Sequence, residues 1–82
     1  MPLIVFGTKG IPATRRERVE AAVEAGGRPA KESYEGWIAA DPFRGGVRVL
    51  ITGPQGFERT VMIAMDEDPA IITERVRATM DE

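Results

Sequence analysis

The chain of 82 residues has no cysteine and no histidine. Those two absences remove disulfides, thiolate nucleophiles, Cys/His zinc sites, serine-histidine triads and histidine general bases together. Asparagine is missing as well, and Gln55 is the sole side-chain amide. Long apolar runs are missing too. The longest, Leu3 to Phe6 and Val61 to Met65, fall far short of the roughly 20 residues that span a bilayer, and no basic-then-apolar leader precedes them. The expected location is cytoplasmic, with no membrane partner. Neither sign of charge dominates: 11 Lys and Arg meet 13 Asp and Glu, a net charge of −2, which gives no general attraction for nucleic acid. Nine of those 11 cations are Arg. Depletion of Asn, Gln and Cys suits a thermophile, while GC-rich coding would give the same Arg preference, and both explanations stay open.

What is present is ordinary globular material, 43% hydrophobic and 29% charged, so residues 1–82 are expected to form a single α+β domain. A folded chain of this size hides only roughly 60% of its unfolded surface, so nearly every large apolar residue is needed in one core.

Leu3-Ile4-Val5-Phe6 reads as a short buried strand running into a loop, Gly7 to Pro12. Thr14 with Glu17 three residues on has the form of a capping box and opens a helix whose buried face is Val19, Ala22 and Val23. That face is narrow and Ala-rich, so the helix must sit close to what it covers. Gly26-Gly27 is expected to supply a left-handed stop. A strand follows over 32–40, broken by Asp41-Pro42 and Gly45-Gly46. Val47 to Thr52 and Phe57 to Met65 make the clearest strands, joined by Pro54-Gln55-Gly56. A three-residue loop of that kind, read as a type I turn with Gly56 in a G1 bulge, sets Val49 opposite Val61. Asp68 caps the last helix, Pro69 occupies its first position, and Ile72, Val76 and Met80 form its buried stripe with Ile71 at the edge. The order is β-α-β-β-β-α: a two-layer α+β fold with an antiparallel three-stranded meander and both helices on one face.

Three groups of residues carry candidate chemistry. Lys9, Thr14, Arg15 and Arg16, around a Gly-containing loop that delivers the chain to a helix N-terminus, have the grammar of an anion, nucleotide or nucleic-acid site over residues 7–18. The Gly-Lys-Ser/Thr of a P-loop and the G-x-G-x-x-G of a dinucleotide fold are not there. Asp66-Glu67-Asp68 is the densest carboxylate group, but Pro69, Ala70 and two isoleucines follow where an EF-hand would place further ligands; these acids read as dipole stabilisers, and no metal or cofactor is expected. Glu35 and Glu58 are expected to flank Arg48 as exposed cross-strand partners. The third group is the sheet face turned away from the helices. With Val47, Val49, Ile51, Val61 and Ile63 inside, Leu50 and Met62, with Trp37, form an apolar strip beside Arg48 that stays wet unless a partner covers it.

Gly7-Thr8-Lys9-Gly10-Ile11-Pro12 resembles the first loop of some nucleotide-sugar glycosyltransferases, over about six residues of 82; nothing else such an enzyme needs accompanies it. The order helix, three-strand meander, helix is similar to that of double-stranded-RNA-binding domains, which present a Lys-rich start of the second helix to phosphates. Here that position reads Asp66-Glu67-Asp68-Pro69 and would repel them. The leading expectation is a small non-enzymatic interaction or regulatory module, binding a protein partner or a second copy through Trp37, Arg48, Leu50 and Met62. Small acidic single-domain proteins of this kind include phage- and mobile-element-encoded inhibitors of host proteins.

Overall fold

The computed structural model describes residues 2–81. Its order is β1 (Leu3–Lys9), α1 (Ala13–Gly26), β2 (Tyr34–Ala40), β3 (Gly46–Thr52), β4 (Glu58–Ala64) and α2 (Pro69–Met80), with a short 3-10 turn at Pro54–Gly56. The four strands form one sheet in the order β1-β2-β3-β4. Strands β2, β3 and β4 make the antiparallel meander. β1 joins it parallel to β2, with α1 as the crossover that a parallel pair requires.

The core is a single cluster between the sheet and the two helices. Val47, Val49, Ile51, Val61 and Ile63 meet Val19, Ala22 and Val23 of α1 and Ile72 and Val76 of α2, with Ile38 beside Val49 in the sheet and Leu3 and Ile11 completing the cluster. Val49 lies opposite Val61, as the three-residue loop requires. The loop conformation differs from the expected type I turn. Gln55 and Gly56 both adopt positive φ, 58° and 77°, and the Phe57 amide donates to the Pro54 carbonyl at 3.1 Å, which is the pattern of a type I′ turn. Gly56 is left-handed as expected, and the difference lies at Gln55, which takes the left-handed conformation as well.

Three further expectations are corrected. β1 continues through Gly7, Thr8 and Lys9, which pair with Trp37, Ile38 and Ala39 after a bulge between Val5 and Gly7; these residues are strand and not loop. As a member of a two-layer sheet β1 buries only alternate residues, so Leu3 is inside while Ile4 and Phe6 are exposed. The capping box at Thr14 is not made: α1 begins one residue earlier, Pro12 is its cap, and no side chain caps it. The Pro12 carbonyl takes the amides of Arg15 and Arg16 at 2.9 and 3.0 Å, and buried Ile11 anchors the entry, so Thr14 is already inside the helix. Gly26 and Gly27 make no left-handed stop, since Gly27 has φ −91°. They permit close approach instead. A Cβ on Gly26 would stand 2.7 Å from both the Thr73 carbonyl oxygen and the Val76 Cβ, and one on Gly27 would fall on Leu3. The Ala-rich face therefore does bring α1 close to its neighbour, and the Thr73 hydroxyl donates across the seam to the Ala22 carbonyl at 2.9 Å. At α2 the Asp68 carboxylate accepts the Ala70 amide at 2.8 Å, Pro69 takes the first position, Ile72 and Val76 are buried and Met80 packs partly against the core.

Candidate functional site

Strand registers arrange the helix-free face in three rows. Ile4, Glu35, Thr52 and Glu58 are neighbours across the four strands, and Gly7, Trp37, Leu50 and Thr60 form the next row.

 The third row thus reads Lys9, Ala39, Arg48 and Met62. Large apolar side chains run across the face through its middle. Phe6 is 57% exposed and Trp37 43%, and their ring centroids stand 5.8 Å apart. The Trp37 ring lies over Gly7, where a Cβ would come within 3.1 Å of it. Leu50 pairs with Trp37 directly across the strands, and exposed Met62 extends the strip onto β4. The bulge produces this cluster, because the extra residue leaves Phe6 beside Gly7 on the side of Trp37. Trp37, Leu50, Met62 and Arg48 are thus brought together, and Ile4 and Phe6 join them. Sequence reasoning missed both by assigning Leu3 to Phe6 wholly to the core. The run is apolar throughout, so nothing in residues 3–6 alone marks which of them face outward.

Arg48 does not lie between Glu35 and Glu58, which flank Thr52 instead. Its guanidinium reaches the Asp41 carboxylate at 3.3 Å. Asp41 is the buried organiser of the β2-β3 turn: one carboxylate oxygen accepts the amides of Phe43 and Arg44 at 2.9 and 3.1 Å. The backbone amides of Arg44 and Phe43, with a smaller contribution from Arg48, hold its carboxyl below the usual range against the opposing effect of burial. The turn so fixed carries Phe43 at 96% exposure, a third residue that sequence reasoning missed. Its signal was an aromatic side chain inside a Pro/Gly-bounded turn, with no strand or helix face to occupy.

The residues of the anion reading have different surroundings. Register sets Lys9 on the helix-free face beside Ala39, while Thr8, one residue earlier, donates its hydroxyl to Glu20 of α1. Thr14 and Arg16 are exposed on the first turn of α1. Arg15 turns toward the β4-α2 connection, where its guanidinium donates to the Glu67 carbonyl at 3.3 Å; its Nε is buried without a partner.

Side chains of the helices and of the turn before α2 occupy groups along both sheet borders. On β1 the Val5 amide donates to the Glu24 carboxylate at 3.0 Å. On β4 Arg75 donates to the Met62 carbonyl at 3.2 Å, and Glu67, 3.6 Å from Arg75, accepts the Ala64 amide at 3.5 Å.

Among the described residues no group of three or more Asp and Glu side chains is placed to hold a metal ion, and no helix is long and apolar enough to cross a membrane. A hollow of about 440 Å³ lies by the β3-β4 turn and is lined by Glu32, Tyr34, Phe57, Arg59 and the turn residues. Its one guanidinium, Arg59, sits 5.0 Å from the Phe57 ring centroid. No family model, curated protein or solved structure matches the chain.

Proposed function

We propose that the protein is a small non-enzymatic interaction module of the cytoplasm whose working surface is the helix-free sheet face. One observation carries this reading: Phe6, Trp37, Leu50 and Met62 form an apolar strip across all four strands of a face that the fold itself leaves uncovered. Aromatic residues and Met are the types enriched where proteins meet, and Arg48 at the margin of the strip adds a polar rim. The alternative, an anion site over residues 7–18, draws less support because Lys9 stands on the sheet face while Arg15 is engaged with Glu67.

The test uses the parent and a Leu50→Glu, Met62→Glu double variant as matched baits in extracts of the native cell. A protein retained by the parent through a high-salt wash and lost by the folded double variant is the expected result, since an apolar contact tolerates salt. Equal retention by both baits overturns the assignment of this surface.

A further inference from the structure

The rows on the sheet face are also bands of charge. The first carries Glu35 and Glu58, the middle carries Trp37 and Leu50 with Thr60 at its β4 end, and the third carries Lys9 and Arg48 beside Met62. All four charged side chains are exposed. Glu35, Glu58 and Lys9 have no ion-pair partner among the described residues, and Arg48 shares its charge with Asp41. Such a pattern is self-complementary in one orientation. Two copies placed face to face are related by a two-fold axis lying between the sheets. With that axis along the strands, each row meets itself, carboxylate against carboxylate. With the axis across the strands, through the middle row, the Glu35 and Glu58 band of one copy lies over the Lys9 and Arg48 band of the other at both ends. Phe6, Trp37 and Leu50 then stack against their equivalents in the middle.

We propose that the occupant of this face is a second copy of the chain, in the isologous dimer with its two-fold axis across the strands. The inference rests on the reading of the face as a docking surface and names its partner. Four strands spaced by about 4.8 Å, with about 3.3 Å of length per residue, give a face of roughly 400 Å² per copy, before side-chain relief is added. Roughly 800 Å² in total is below the standard size of stable complexes, so the dimer is expected at micromolar or higher concentration and not at nanomolar. Sheet twist should set the two strand directions about 30° apart.

Sedimentation equilibrium of the full chain across a concentration series tests this, with the single Trp37 as a fluorescence reporter of burial. The parent should dimerise, with Trp37 emission shifting to the blue as it does. Glu35→Lys with Glu58→Lys makes both bands basic, and Lys9→Glu with Arg48→Glu makes both acidic. Each variant alone should lose at least about 10-fold in dimer affinity at low salt, and an equimolar mixture should restore association. Melting curves confirm that the variants are folded. The substitutions at Glu35 and Glu58 leave the Asp41 turn untouched, so that variant remains informative if the other loses the Arg48 pairing. A parent monomeric at millimolar concentration overturns the dimer. The docking face still stands in that case if the matched baits above retain a foreign protein only through Leu50 and Met62. A dimer indifferent to both charge variants and to the Leu50→Glu, Met62→Glu variant overturns both readings.

Discussion

The two faces of the sheet are built from the same strands and follow different rules. The inner face is nearly uniform: Val47, Val49, Ile51, Val61 and Ile63 are β-branched and buried, matched in size and free of polar atoms. The outer face mixes acids, bases, threonines and large apolar side chains in an order set by register. Packing explains the first, because interiors approach crystal density and reward side chains with few rotamers. Internal contacts account for only part of the second, namely the Arg48–Asp41 pair and the Trp37 ring over Gly7, and the proposed docking would account for the rest.

The contrast is broken most severely by substituting adjacent residues of β3. Ile51→Ala should cost about 2–5 kcal/mol in chemical denaturation, through lost burial and the cavity left behind. Leu50→Ala, one residue away on the other face, should cost less than about 1.5 kcal/mol. Similar losses at both sites would mean that the outer face contributes to folding as the inner one does. A smaller effect probes the seam between the helices. Gly26→Ala should destabilise by about 1–2 kcal/mol despite alanine's better helix propensity, because the Thr73 carbonyl and Val76 leave no room for the new methyl group. Stabilisation by that substitution would show that the helices can separate at little cost. The mildest effect is one of pH. The lowered Asp41 pKa contributes stability that is fully present above the ordinary carboxylate range and is lost as pH falls through the folded-state value. Amide resonances of Phe43 and Arg44 should therefore hold steady from pH 7 to 5 and shift only in stronger acid, when protonation also releases Arg48.

The parts of this architecture legible in the sequence are those where one local rule acts alone. Asp68-Pro69 announces α2 because a capping carboxylate and a residue with no amide proton favour the same boundary. The alternation from Val47 to Ile51, repeated from Val61 to Met65, sets the meander and identifies its inner side. Illegible parts are those where tertiary contact overrides a local signal. Thr14 and Glu17 satisfy the capping-box pattern, but Ile11 buries and draws the helix start back to Ala13. Gly26-Gly27 looks like a terminus from the sequence, and only the presence of Val76 and Leu3 beside it reveals a place of close approach. At the face, parity along β3 and β4 fixes Arg48, Leu50 and Met62. The contribution of β1 depends on a parallel pairing and a bulge at Phe6 that nothing in residues 3–9 specifies by itself.

The side chains seated on the sheet borders bear on how large an assembly can become. Exposed strand edges are templates on which further strands add without limit. Glu24 at the Val5 amide, and Arg75 and Glu67 at Met62 and Ala64, occupy rungs of those templates from both sides. Lateral growth must first displace charged groups held by the helices and the turn before α2, whereas stacking through the face meets no such obstacle and is complete once two surfaces have met. Concentrated solutions of the protein should accordingly scatter light as a finite species, with no drift toward fibres.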